Sequence, residues 1–158
     1  MSAVEDRLKD LGLTVPEVAK PVAAYVPALQ DGRRIYTSGQ LPMVNGELAA
    51  IGKVGLGEGQ VDPEKAAELA QVCALNAIAA VKSVVGDLDK VAQVVKVVGF
   101  VASDPTFTGQ PGVINGASEL LGKAFGDAGI HARSAVGVAV LPLDAPVEVE
   151  IVVALADD

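Results

Sequence analysis

The chain has 158 residues and a formal net charge of −8, and this length predicts one domain that buries a sizeable core. A hydrophobic share of 51% beside 20% charged residues is high for a small soluble monomer, which predicts surface buried between subunits. The acidic balance weighs against a nucleic-acid partner, because phosphate backbones are bound by clustered Lys and Arg. No apolar run of about 18 residues lacks a charge or a helix breaker, so we expect no membrane span. The single cysteine predicts a cytoplasmic protein without an intrachain disulfide.

The first third of the chain predicts an extension followed by short strands. We assign residues 1–20 to an N-terminal extension of the single domain 1–158, with a short amphipathic helix over 1–12. Residues 25–29 and 33–38 predict two strands paired around an Asp-Gly turn. A second turn of the same kind is predicted at Asn45-Gly46.

The middle of the chain predicts a loop and a long helix. Residues 49–61 contain four glycines, but they do not join a buried strand to a helix, so we expect a loop and no nucleotide motif. Asp62 is a suitable N-cap for the helix that follows, Pro63 suits its first position, and Gly86 ends it. Cys73 falls on the apolar face of this helix, which favours core packing over a role as nucleophile.

Downstream of that helix, residues 91–102 are β-branched and nearly continuous, as in a strand covered on both faces. Pro111 starts a second helix, which ends at Gly126 or Gly129. The order β-β-α-β-α-β-β has too few βαβ units for a doubly wound sheet. It predicts an α+β fold, in which two helices pack on one face of a mixed sheet and the other face is left to be covered.

The C-terminal end predicts a β-hairpin. Residues 133–141 and 147–155 alternate in polarity and flank a proline-rich turn. Arg133 opens the first strand, and Glu148 lies near the turn end of the second. In such a hairpin the two side chains would lie about 20 Å apart, so they could share a site only between subunits.

Arg133 is the first candidate site residue of this hairpin. A lone Arg at the start of a strand of Gly, Ala and Val predicts an anion site, because its planar fork matches a carboxylate. The alternative is an ion pair with Asp127 or Glu119. Glu148 and Glu150 share one face of the second strand. From the residues alone Glu148 is a solvent-facing strand carboxylate, and Glu150 has at most a supporting role.

These segments resemble the signatures of the Rid/YjgF family, the reactive intermediate deaminases. The C-terminal signature is an Ala-Arg-Ser strand, a Leu-Pro turn and a strand with two alternating glutamates, and it is matched by Ala132, Arg133, Ser134, Leu141, Pro142, Glu148 and Glu150. The N-terminal signature is matched by Tyr25, Val26 and Ser38 to Pro42. The resemblance covers residues 20–156 and is closer to a longer subgroup with an N-terminal extension.

The resemblance implies a chorismate-mutase-like fold in a homotrimer whose sheets pack around a central barrel. It implies a hydrolytic deaminase that needs no metal or cofactor and converts reactive enamine or imine acids, such as 2-aminoacrylate, to a 2-keto acid and ammonia. Arg133 would clamp the substrate carboxylate, and Glu148 would position or activate the attacking water.

The resemblance also implies further substrate-binding residues. Ser38 and Gly39 would form a pocket wall, and Tyr25 would be contributed by a neighbouring subunit. Asn115 would reach the pocket from the second helix, although it equally suits the outer helix face. Ala135 stands where the family commonly has Cys, and its backbone would contact the substrate.

Two other functions remain open at this point. The same anion site could hold a small carboxylate without turnover, as a binding module would. The apolar surface could instead serve a chaperone-like interaction protein, which would need no Arg133. Some family members carry a ribonuclease label, but one histidine, few aromatic residues and no basic stripe give it no support here.

Overall fold

The computed structural model describes residues 1–21 and 23–157, and their main feature is a mixed sheet of five strands. The strands in chain order are β1 (Ala28–Asp31), β2 (Arg34–Thr37), the short pair β3 (Met43–Val44) and β4 (Glu47–Leu48), then β5 (Val91–Ala102), β6 (Ala132–Val138) and β7 (Val147–Leu155). The sheet runs β1-β2-β7-β5-β6, and β3 pairs only with β4. The turn between β3 and β4 is the predicted Asn45-Gly46, where both residues have positive φ.

Two long helices cover one face of the sheet, which confirms the predicted α+β architecture. They are α2 (Pro63–Val85) and α3 (Gln110–Phe125). The Asp62 side chain accepts a hydrogen bond from the Glu64 backbone at 2.8 Å, and Gly86 ends α2 with φ 75°, as the sequence predicts. The helices approach so closely that a Cβ at Gly116 would collide with the carbonyl oxygen of Ala67.

Helix α2 is long and apolar enough to cross a membrane by length and composition alone. Its apolar stripe is instead buried against the sheet and α3, together with Cys73, which is fully buried as predicted. Burial raises the pKa of the Cys73 thiol well above its ordinary value. Within the described residues, α2 is therefore the core helix of this fold.

The N-terminal extension begins with α1 (Ala3–Asp10), which packs against the helical layer. Ser2 and Glu5 form a capping box at its start, and Val4 and Leu8 are buried. The Glu5 carboxylate also pairs with Lys82 on α2, and this partner holds the pKa of Glu5 at about 2. The extension is thus docked onto the domain.

The predicted C-terminal hairpin is wrong. β6 and β7 do not pair with each other, because β5 lies between them, parallel to β6 and antiparallel to β7. The segment between β6 and β7 therefore passes over the end of β5 instead of making a tight turn. Alternation along both strands is satisfied equally well by pairing with a strand distant in sequence.

The two faces of the sheet have different surroundings. Val97 and Ile151 are neighbours on the helix-covered face and are fully buried. The other face, which we call the open face, carries Phe100 and Glu148 side by side, and both are half-buried. Residues 91–102 were expected to be covered on both faces. Within the single chain, only the face under the helices is fully covered.

Candidate functional site

A cavity of about 80 Å³ opens where the ends of β2 and β7 meet. Three parts of the chain form its walls: the end of the N-terminal extension, the segment around Gly39, and the segment between β6 and β7. Of the residues that the structure describes, two charged side chains line it, Glu148 and Lys20. The described residues around it are Ala19, Lys20, Pro21, Tyr25, Pro27, Gly39, Gln40, Leu41, Met43, Pro142, Leu143 and Glu148.

Glu148 is a half-buried carboxyl group that lines this cavity. No side chain or backbone amide among the described residues donates a hydrogen bond to its carboxylate, which lies beside Phe100 on the open face. Burial away from water raises the pKa of Glu148 above its ordinary value, and the charge of nearby Glu150 raises it further. Burial also raises the pKa of Glu150, which does not line the cavity. Glu148 is therefore suited to take up and release a proton closer to neutral pH than a solvated carboxylate.

Gly39 leaves the space that the Glu148 carboxylate occupies. A Cβ built at Gly39 would lie 2.7 Å from the Glu148 carboxylate carbon and closer still to Oε1. The neighbouring Gln40 fixes this approach, since its backbone exchanges hydrogen bonds of 2.8 and 3.0 Å with Val149. Ser38 donates its hydroxyl to the Val26 carbonyl at 2.6 Å, so it supports the wall.

The wall opposite Gly39 contains unusual backbone. Leu143 lines the cavity with φ 59°, a left-handed conformation that costs a residue with a Cβ roughly 1–2 kcal/mol. Asp144 follows with φ 61°, and hydrogen bonds from the Asp144 and Ala145 amides to Leu141 and Pro142 hold the turn. Strain of this kind concentrates at functional sites. Exposed Tyr25 lines the same cavity as Gly39 and Glu148, whereas Ser38 does not line it and is joined to its wall through the Val26 carbonyl. We call Tyr25, Ser38, Gly39 and Glu148 the acidic half-site.

Arg133 lies elsewhere, at the start of edge strand β6 on the helix-covered face. Its Nη1 donates to the Ser118 hydroxyl at 3.3 Å, and its Nη2 donates to the Pro111 carbonyl at 3.1 Å. The alternative of an ion pair with Asp127 or Glu119 is wrong, since no carboxylate in the described ranges pairs with Arg133. The guanidinium is thus oriented by neutral acceptors and keeps its charge for another partner.

Asn115 lies on α3 and Ala135 on β6, the two elements that the Arg133 hydrogen bonds join. Asn115 is exposed, and it shares one stripe of α3 with Pro111 and Ser118, which are spaced four and three residues from it. Ala135 follows Arg133 on the same face of β6 and packs against the core. We call Arg133, Asn115 and Ala135 the basic half-site.

Within one chain the two half-sites lie apart. Arg133 is level with Val97 and Ile151 across the sheet, whereas Glu148 is level with Phe100. Two strand spacings of about 4.8 Å and three residues of about 3.3 Å place the Cα atoms of Arg133 and Glu148 about 14 Å apart. Their side chains also point to opposite faces of the sheet. The predicted separation of about 20 Å is therefore wrong, because it assumed that the two C-terminal strands pair directly with each other.

Two residues beside Arg133, Ser118 and His131, are not among those predicted from the sequence. Ser118 joins His131 to Arg133, because its hydroxyl lies 2.8 Å from the Nε2 atom of His131 and 3.3 Å from Arg133 Nη1. His131 Nδ1 lies 2.6 Å from the Gly129 carbonyl oxygen. The signal was present in the sequence, since residues two apart at a strand start share a face and Ser118 follows Asn115 by three residues.

Known proteins are similar to this chain over nearly its whole length. Residues 5–155 match the family model described as "YjgF/chorismate mutase-like, putative endoribonuclease". Protein TCP17 of Trypanosoma cruzi is 40% identical over 153 residues, which cover 96% of this chain and 94% of that protein.

Two solved structures match at similar length. The crystal structure of Atu1372 from Agrobacterium tumefaciens, described as of unknown function, is 45% identical with a TM-score of 0.88 and covers 98% of this chain and 93% of that one. A "putative endoribonuclease" from Shewanella oneidensis MR-1 is 32% identical with a TM-score of 0.91, covering 96% of this chain and 99% of that one. The similarity includes nearly the whole length of this chain and of these relatives.

Proposed function

The chain belongs to the YjgF/chorismate mutase-like family, as its motifs predicted, and we propose that it is a hydrolytic deaminase of reactive enamine and imine acids. The substrate class is that of 2-aminoacrylate, and the products are a 2-keto acid and ammonia. Such a substrate carries one carboxylate and one carbon doubly bonded to nitrogen or carbon. It therefore needs an anion site and a group that moves protons, and the two half-sites contain one of each.

The observation that carries the proposal is the contrast between Arg133 and Glu148. Arg133 is fixed by two hydrogen bonds to neutral oxygens and has no carboxylate partner among the described residues. Glu148 lines a small cavity, and the pKa of its carboxyl is raised. No group among the described residues donates a hydrogen bond to this carboxyl. A bidentate pair between the guanidinium and a carboxylate would supply both affinity and orientation.

We place the complete site between subunits of a homotrimer. The half-sites lie on opposite faces of the sheet in one chain, so the Arg133 of one copy would face the Glu148 of the next. The open face supports this assembly because its apolar side chains are left in contact with solvent: Leu29 is 60% exposed, Val136 44% and Tyr36 43%. Surface of this kind is typical of a contact between copies.

The proposed reaction consumes one water and transfers no electrons. An enamine takes a proton from solvent at its C3 atom and becomes an iminium ion; water then attacks C2 and forms a C–O bond. The nitrogen takes a proton and leaves as ammonia when the C–N bond breaks, and the oxygen returns its remaining proton to solvent as it forms the carbonyl of the keto acid. Ionised Glu148 would accept the proton of the attacking water and, once protonated, deliver it to the leaving nitrogen.

This mechanism needs two contributions from the protein, orientation of the substrate and proton transfer. Orientation of the carboxylate by Arg133 holds C2 near the water at Glu148, and the acid–base step adds roughly 10²- to 10⁴-fold. The described residues contain no group of three or more His, Cys, Asp or Glu side chains placed to hold a metal ion. The mechanism uses only protein side chains and water. A small carboxylate substrate and a cytoplasmic location are the partner and setting that we propose with it.

A ribonuclease function, named in the family description, has less support in this chain. The net charge is −8, and a phosphate backbone needs clustered basic side chains. Arg33 and Arg34 are adjacent in the sequence, but Arg33 pairs with Asp157.

The test is release of ammonia and keto acid from a freshly generated 2-imino acid or from 2-aminoacrylate. Wild type is compared with Arg133→Ala, and Arg33→Ala, which removes an equal charge at the exposed turn after β1, is the matched control. We expect acceleration over the buffer rate by wild type and by Arg33→Ala and its loss in Arg133→Ala. Binding of the keto acid without any acceleration would favour the binding module instead, and hydrolysis of RNA by wild type would favour the ribonuclease.

A further inference from the structure

We propose that Ser118 and His131 are positioning residues for Arg133, which fix its guanidinium so that it presents a free fork to the substrate carboxylate. This inference rests on the proposed function, because it concerns the anion site of that reaction. Neither residue belongs to the matched signatures of the family resemblance. Their role follows from a chain of hydrogen bonds that joins α3 to the start of β6.

The directions of these hydrogen bonds follow from the donors and acceptors that a neutral His131 ring offers. The Gly129 carbonyl oxygen can only accept, so His131 Nδ1, 2.6 Å away, carries the proton. In the neutral ring Nε2 is then an acceptor, and the Ser118 hydroxyl, 2.8 Å away, donates to it. With its single proton used in this way, the Ser118 oxygen presents its lone pairs to Arg133 Nη1 at 3.3 Å. His131 thereby turns the hydroxyl of Ser118 into a fixed acceptor.

The donors of Arg133 are divided between the protein and a ligand. A guanidinium has five N–H groups, and Ser118 and the Pro111 carbonyl accept one each. Nε and one N–H on each terminal nitrogen remain, which is enough for a bidentate carboxylate pair. Because each terminal nitrogen donates to a different acceptor, rotation of the guanidinium plane is restrained. The remaining donors therefore point in a defined direction before the substrate arrives.

Ser118 and Gly129, which anchor these hydrogen bonds, lie in closely packed parts of the fold. Ser118 is half-buried on α3, between buried Ala117 and Leu121, and Gly129 is buried in the turn that leads into β6. A Cβ at Gly129 would collide with the carbonyl oxygen of Leu121, so that turn lies tightly against the helix. The turn thus holds the Gly129 end of these hydrogen bonds and the helix holds Ser118 in their middle, so Arg133 is tied to both through one hydroxyl.

The test separates positioning from mere stabilisation. KM and kcat are measured with a freshly generated 2-imino acid, and Kd with pyruvate, for Ser118→Ala, Ser118→Thr, His131→Phe and the double variant Ser118→Ala/His131→Phe. Ser83→Ala is the matched control, since it removes a helix hydroxyl that bonds only to the Ala80 carbonyl on α2. Melting temperatures check that each variant folds.

We expect Ser118→Ala to raise KM and the pyruvate Kd on the order of 5- to 10-fold, with kcat within about twofold of wild type. Ser118→Thr keeps the hydroxyl and restores most of the affinity. His131→Phe gives a smaller rise in KM, which disappears in the Ser118→Ala background because the ring acts only through the hydroxyl. Ser83→Ala matches wild type in every kinetic quantity.

The proposal is overturned if folded Ser118→Ala binds pyruvate as wild type does, or if the two substitutions act independently. Should Ser118→Ala fail to fold, unchanged affinity in His131→Phe overturns it equally. Arg133→Ala is measured in parallel and distinguishes the two levels of the argument. If Arg133→Ala keeps full activity, the proposed function fails; if only Arg133→Ala loses affinity, the positioning role alone fails.

Discussion

Replacement of Glu148 by Gln is expected to remove most of the turnover and to leave the affinity for the keto-acid product nearly unchanged. Gln keeps the shape of Glu and its hydrogen-bonding reach, but it cannot accept or deliver a proton at neutral pH. Because general acid–base catalysis contributes typically ~10²- to 10⁴-fold, we expect kcat to fall within that range. Steady-state rates with a freshly generated 2-imino acid, together with pyruvate binding, measure the two quantities separately.

The same substitution is expected to stabilise the fold. Burial, and then the charge of Glu150, raise the pKa of Glu148 in the folded chain above its ordinary value. Between the unfolded and the folded pKa the folded state therefore binds more protons, so stability falls as pH rises through this window and stays reduced above it. Gln has no charge to desolvate. Glu148→Gln should therefore melt no lower than wild type at neutral pH, and the difference should shrink below the ordinary glutamate pKa.

Glu150→Gln is the matched control for Glu148→Gln. Glu150 lies on the same face of β7 as Glu148, is also half-buried, and also has its pKa raised by burial. Its carboxyl lies outside the cavity. We expect near-normal turnover from Glu150→Gln, with the acid limb of the pH–rate profile moved to lower pH because a charge that raises the pKa of Glu148 is lost. Wild-type kcat in Glu148→Gln, or equal losses in both variants, would refute the role of Glu148.

Three further outcomes are expected. Arg133→Ala should weaken keto-acid binding by on the order of 2–5 kcal/mol without unfolding the chain, as measured by calorimetry, and unchanged affinity would remove the anion site. Light scattering at micromolar concentration should give a mass of three 16.0 kDa chains, whereas a monomer would contradict the intersubunit site. Gly39→Ala should lower turnover by up to about 10²-fold, because its Cβ displaces the Glu148 carboxylate, while the melting temperature changes little since that side chain is flexible. Full activity in Gly39→Ala would show that the position of the carboxylate is unimportant.

Local signals predicted the helical part of the fold well. The Asp62 cap, the Gly86 stop and the Asn45-Gly46 turn depend only on residues a few positions apart, and each is found where the sequence places it. The strand over residues 91–102 was also predicted with its bounds, because a run so rich in β-branched side chains favours a strand over a helix.

Strand pairing was not predictable from the same signals. Both C-terminal strands alternate, and a proline-rich segment joins them, which is what a hairpin requires locally. The insertion of β5 between them depends on contacts distant in sequence, and the strained backbone at Leu143 and Asp144 replaces the expected tight turn. The face on which Arg133 lies followed from this pairing, so local signals indicated the stripe of α3 that carries Ser118 but not the hydrogen bond from Arg133 to it.

The central claim is that each site takes Arg133 from one subunit and Glu148 from another, and mixed trimers test it most directly. Arg133→Ala and Glu148→Gln are each expected to be inactive alone. Co-expressed in equal amounts, they should recover roughly a quarter of the wild-type sites, because a site is intact wherever the two wild-type side chains meet across an interface. Mixed trimers, verified by mass, that remain as inactive as either parent would contradict the claim.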